Sequence, residues 1–137
     1  MAIPDRRPAA TPANEAARAL VVFHGFGHGL LTRLFGCAGF RHCFVCIAHH
    51  GSWLRLDFQD GVPALEVVCA DSFDLAAFYR AAGLTVIRTE RRNRRPRWPV
   101  MLATCVGAVK KVLGADAPFA LTPHQLYRHL CKEQDHG

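Results

Sequence analysis

The sequence predicts an α+β fold: a mostly antiparallel sheet of about five strands with a cysteine-bearing helix packed on it and two further helices at its edges. Three observations lead there. Residues 40–48 and 53–59 read as a strand pair around a tight turn, other short β-branched runs lie on either side of them, and the helical segments carry their own start and stop signals. With 137 residues, half of them hydrophobic, the chain can build one domain with a real core. Its net charge of +6 permits an anionic partner.

Residues 1–14 are rich in Pro and Ala and lack the apolar core of a signal peptide, so they are expected to form a flexible arm before a single domain over 15–137. No segment reaches the length of a transmembrane span, so no membrane span is expected. The expected location is the cytoplasm, or a virion if the protein is carried out. The six cysteines, at 37, 43, 46, 69, 105 and 131, are then expected to be reduced. Glu15 to Arg18 reads as a short helical turn and Leu20 to Phe23 as a first strand. A glycine-rich passage follows, with Leu30 to Phe35 as one or two helical turns. Its Gly25-Phe26-Gly27-His28-Gly29 spacing lacks the Lys-Ser/Thr of a phosphate-binding loop, and that reading is excluded.

The hairpin is the best-defined element. If His50-Gly51 forms a two-residue turn, residue 49 faces 52 and 42 faces 59. Cys43, Val45 and Ile47 then share an apolar core face with Leu54, Leu56 and Phe58. The other face carries His42, Phe44, Cys46 and Ala48 beside Trp53, Arg55, Asp57 and Gln59. Pro63 to Cys69 is the next strand. Asp71 caps an expected helix over Ser72 to Ala82, with Leu75, Phe78, Tyr79 and Ala82 inward and Gly83 as its stop; Leu84 to Thr89 is a further strand.

Thr104 and Gly114 bracket a short amphipathic helix, with Val106, Val109, Val112 and Leu113 as its buried stripe and Lys110 and Lys111 near the negative end of its dipole. Cys105 falls in the first turn, where unpaired amides and the positive end of the dipole favour a thiolate. Thr122-Pro123-His124-Gln125 is a capping box that opens a last helix, reaching about Cys131.

A reactive cysteine needs a base. His42 lies on a strand, with Gln59 directly opposite in the expected register and Asp57 as its diagonal neighbour on the same face. An imidazole that takes the thiol proton, a third polar group that orients the ring and amides that receive the oxyanion together make a nucleophilic hydrolase. The candidate catalytic residues are therefore Cys105, His42, Asp57 and Gln59, and this chemistry calls for no cofactor or metal.

Thr104-Cys105-Val106-x-x-Val109 followed by Gly114 resembles the nucleophile helix of NlpC-type papain-like cysteine hydrolases, and Phe40-Arg41-His42-Cys43-Phe44-Val45 resembles their histidine strand. Here the histidine comes first and the cysteine about sixty residues later, so the likeness is to the permuted papain-like arrangement. Residues 122–130 are similar to the endings of small phage and prophage proteins of this class. The resemblance implies hydrolysis of peptide, amide or thioester bonds through an acyl-enzyme, with cell-wall peptides as the usual substrates and phage structural proteins as partners. Thr104 and Val106 stand where the family has Asp and Ser, so a non-catalytic phage structural or assembly protein that keeps the fold is the alternative.

Two other readings compete. Cys43-x-x-Cys46-x-x-His49, with Cys37 and His50 nearby, has ligand-like spacing, but residues 43 and 46 of a strand point to opposite faces. Five arginines between Arg91 and Arg97 could grip a nucleic acid or another anionic polymer. Their closeness in sequence to Cys105 makes Arg95, Arg97 and Trp98 the candidate substrate-binding residues.

Overall fold

Five strands and three helices order the described residues of the computed structural model, which are 17–25, 40–59, 62–92 and 104–137. In chain order they are β1 (Ala17–His24), β2 (His42–His49), β3 (Ser52–Gln59), β4 (Val62–Ala70), α1 (Leu75–Ala81), β5 (Thr85–Arg91), α2 (Cys105–Leu113) and α3 (Pro123–Asp135). The sheet runs β4-β3-β2-β1-β5 and every pairing is antiparallel. β1 to β4 form a meander, and the chain then passes through α1 to lay β5 against the free side of β1.

His50 and Gly51 both have positive φ, 48° and 79°, as a two-residue primed turn requires. The turn sets the register: His49 lies opposite Ser52, Ala48 opposite Trp53 and Val45 opposite Leu56. Continued down the hairpin, that register puts His42 across from Gln59. The expected α+β class and antiparallel sheet are the ones observed.

The core is two-sided. Val21, Phe23, Cys43, Val45 and Ile87 meet Val106, Val109 and Leu113 of α2 and Leu126 and Leu130 of α3 on one face. On the other, Leu20, Val22, Phe44, Cys46, Trp53 and Val86 meet Leu75, Ala76 and Tyr79 of α1. The face expected to be the less apolar one is thus a second core, because α1 covers it. The two further helices lie on the sheet faces rather than at its edges.

Several local expectations are corrected. Ala17 and Arg18 belong to β1, not to a helical turn, since β5 pairs with both of them. The cap of α1 is Asp74, whose carboxylate accepts from the Ala77 amide at 3.0 Å. Asp71 instead pairs with Arg18 at 3.2 Å. The later start of α1 turns Ala76 inward and leaves Phe78 55% exposed. α3 has the expected capping box but continues to Asp135. The arm over residues 1–14, the turns over Leu30 to Phe35, and Arg94, Arg95, Arg97 and Trp98 lie outside the described residues.

Candidate active site

Thr104 is extended and its hydroxyl accepts from the Gly107 amide at 3.0 Å, while Gly114 ends α2 with φ 65°. The cap uses the third amide of the turn and leaves those of Cys105 and Val106 as the ones the helix does not bond itself. Val106, Val109 and Leu113 fasten α2 to the sheet, and Val112 is half-buried. Lys110 departs from expectation. It is buried, and its ammonium donates to the carbonyls of Ala117 and Ala120 at 3.1 and 2.9 Å, clamping the α2–α3 connection against the helix.

His42 is the first residue of β2, so its ring sits at the end of the sheet to which the N-terminal turn of α2 also comes. Its Nε2 lies 2.6 Å from Asp57 Oδ1. Cys105 is close enough to the ring to act on its pKa, and Nδ1 is the nitrogen that Asp57 leaves unused. Asp57 is almost fully buried, and its second oxygen accepts from Gln59 Nε2 at 3.1 Å. The diagonal neighbour of His42, not the residue directly opposite, is its partner; Gln59 acts one step removed, on Asp57.

The neighbours that act on the Cys105 sulfur are Cys43 and His42, whose S–H and N–H groups favour its charged form. Led by the Cys43 thiol, these donors pull the Cys105 thiol down to about 4 against the opposing effect of burial. His42 is raised to about 9, first by its bond to Cys105 and, after burial has worked the other way, by Asp57. The pair is a thiolate and an imidazolium across neutral pH. Since the two groups titrate as one system, the two limits belong to the pair.

Two residues here were not singled out as site residues from the sequence. His24 ends β1 opposite His42, their ring centroids 4.9 Å apart. Burial first, and then the positive charge of His42, lower its pKa. It is a neutral neighbour to the imidazolium. Cys43 read only as a core residue or metal ligand. Both were findable, since pairing the first strand with the hairpin puts residue 24 across from 42, and the helix that buries the Cys43 face carries Cys105.

Other candidates are placed elsewhere. Cys43 and Cys46 sit in the cores on opposite faces of the sheet, and among the described residues no three His, Cys, Asp or Glu side chains gather as a metal site. Arg91 donates to the carbonyl of Val112 at 3.2 Å, and Arg92 pairs with Glu133 at 3.3 Å. These two arginines tie β5 to the end of α2 and to α3. No helix among the described residues is long and apolar enough to cross a membrane. No family model, curated protein or solved structure matches the chain.

Proposed function

We propose that this protein is a cysteine hydrolase that cleaves amide, peptide or thioester bonds through an acyl-enzyme. The observation that carries the reading is the 2.6 Å contact of His42 with buried Asp57 at the end of the sheet where Cys105 opens α2. Each member has a step. The Cys105 thiolate attacks the carbonyl carbon, and the free first-turn amides of α2 are placed to receive the oxyanion. The His42 imidazolium gives its proton to the leaving amine or thiol, then takes one from the water that attacks the thioester. Asp57 holds Nε2, which leaves Nδ1 to serve the sulfur.

The resemblance to permuted papain-like hydrolases supports the same reading and suggests cell-wall peptides as substrates and a phage as context. The test is digestion of muropeptides and short acyl thioesters, followed by mass spectrometry. The expected result is cleavage that Cys105→Ala abolishes, with an acyl group retained on sulfur when the second step is slowed. No turnover of any such bond, and no acyl adduct, would refute it.

A second reading has an observation of its own. Val62, Leu65 and Val67 on edge strand β4 are 65–70% exposed, which suits a non-catalytic assembly protein that docks through this strand. Charged substitutions at Leu65 and Val67 that block assembly, in a protein whose wild type cleaves none of the bonds above, would favour this reading. Gel-shift loss on neutralising the arginines of residues 91–97 would instead support a nucleic-acid partner.

A further inference from the structure

We propose that the turn between α2 and α3, with the basic stripe of α3 beside it, is a docking surface for an anionic lipid bilayer. The surface goes beyond the hydrolase reading, and nothing in it requires Cys105 to be reactive.

The turn is built to display an aromatic side chain. The Ala120 amide donates to the Ala117 carbonyl at 3.2 Å, which makes Pro118 and Phe119 the two central residues of a β-turn. Proline fixes φ at the first of them. The buried Lys110 ammonium donates to the carbonyls of both Ala117 and Ala120, at 3.1 and 2.9 Å. The next amides, of Leu121 and Thr122, donate to Gln125 Oε1 at 2.9 and 3.1 Å. The backbone is therefore tied down on both sides of Phe119. Its side chain is nevertheless 89% exposed and that of Leu121 72%, the highest values for large apolar residues among the described residues. Single apolar residues on a surface are ordinary. Two on so firmly held a backbone form a preorganised tip, with little freedom left to lose on binding.

Charge selects the occupant. Arg128 and Lys132 continue the α3 stripe that begins at Gln125, roughly 5 and 10 Å further along the axis. They line a groove of about 490 Å³ whose other wall holds Pro118 and Phe119, and Asp116 is the one carboxylate found there among the described residues. Both cations are exposed and enter none of the ion pairs among the described residues. An apolar tip flanked by unpaired cations matches the layers of a bilayer surface. Phe119 and Leu121 enter the acyl boundary while Arg128 and Lys132 stay with the phosphates. A convex tip also suits lipid better than protein, since a protein partner needs a preformed pocket for Phe119 and acyl chains need none. The chain's net charge of +6 adds attraction of the same sign.

The test is co-sedimentation of the full chain with vesicles of two parts phosphatidylcholine to one part phosphatidylglycerol, and with vesicles of phosphatidylcholine alone. The expected result is binding to the anionic vesicles that high salt weakens and the neutral vesicles lack. Phe119→Asp should weaken it by about tenfold or more, and Arg128→Gln and Lys132→Gln by roughly fivefold each. Circular dichroism checks that these exposed substitutions leave the fold intact. Phe119→Trp should report insertion as a blue shift of emission on anionic vesicles, beyond any shift that Trp53 and Trp98 give in the wild type. No binding to either vesicle would overturn the proposal. So would binding that Phe119→Asp leaves unchanged, because net charge alone then holds the protein. A preference for soluble polyglutamate over vesicles, lost in the same variants, would assign the surface to an acidic protein partner and overturn the bilayer.

Discussion

The two ring nitrogens of His42 have different partners, and the division of labour at residue scale follows from that. Nε2 faces Asp57 at 2.6 Å, and in the proposed mechanism the other nitrogen serves the Cys105 sulfur. Asp57→Asn removes the carboxylate charge that helps raise His42, so the alkaline limit of activity should move below the value of about 9. The rate should fall by about 10²–10⁴, as when an orienting or acid–base group is lost. Gln59→Ala should cost much less, since Gln59 touches only the far oxygen of Asp57. A pH–rate profile of both variants checks this. Linkage gives a second expectation. His42 rises from 6.5 to about 9, so its stabilisation is full below 6.5 and is lost as pH climbs through 9; Cys105 drops from 9.0 to about 4, so its stabilisation is full above 9.0 and is lost as pH falls through 4. Between 6.5 and 9 the two slopes cancel, because folding only moves a proton from sulfur to imidazole. Urea unfolding should therefore show no net slope from the pair in that window and a loss from pH 6.5 toward 4. Cys105→Ala should lack that acid-side loss.

At the scale of elements, α2 presents the nucleophile only if its cap and its far end both hold. Thr104→Ala removes the acceptor for the Gly107 amide and should cost about 1 kcal/mol in chemical unfolding. Lys110→Met keeps the stem but strands the carbonyls of Ala117 and Ala120, and should cost about 1–3 kcal/mol. The cap was legible because Thr-Cys-Val and the closing Gly114 are short-range signals. The role of Lys110 was legible in principle, since positions 106, 109, 110 and 113 make one helical stripe and Lys110 lies in it. Reading both lysines as dipole partners hid this. Asp71 misled for a different reason: Asp71 and Asp74 are each plausible caps by type. The choice went to Asp74 because Asp71 is pulled to Arg18, a residue 53 positions away.

For the whole molecule, topology explains why the site forms where it does. The start of β2, the end of β3, the end of β1 and the start of α2 meet at one end of the sheet, and they bring His42, Asp57, His24 and Cys105 together. The hairpin half of this was readable, because a His-Gly turn and period-two alternation fix the register locally. The second core was not. It depends on β5 pairing with β1 and on α1 crossing the face between them, contacts that no local pattern announces. The packing of Cys105 against the cluster that holds Cys43 joins β2 to a helix about sixty residues on, and no local pattern announces it either.

The central claim is that Cys105 is a thiolate paired with His42 and Asp57, and the rate of iodoacetamide alkylation at Cys105 as a function of pH tests it most directly. The prediction is an inflection near 4, with reactivity sustained through neutral pH, and a shift of that inflection toward ordinary thiol values in His42→Ala. A single inflection at pH 8 or above in the wild type, shared with the other cysteines and indifferent to His42, would contradict it.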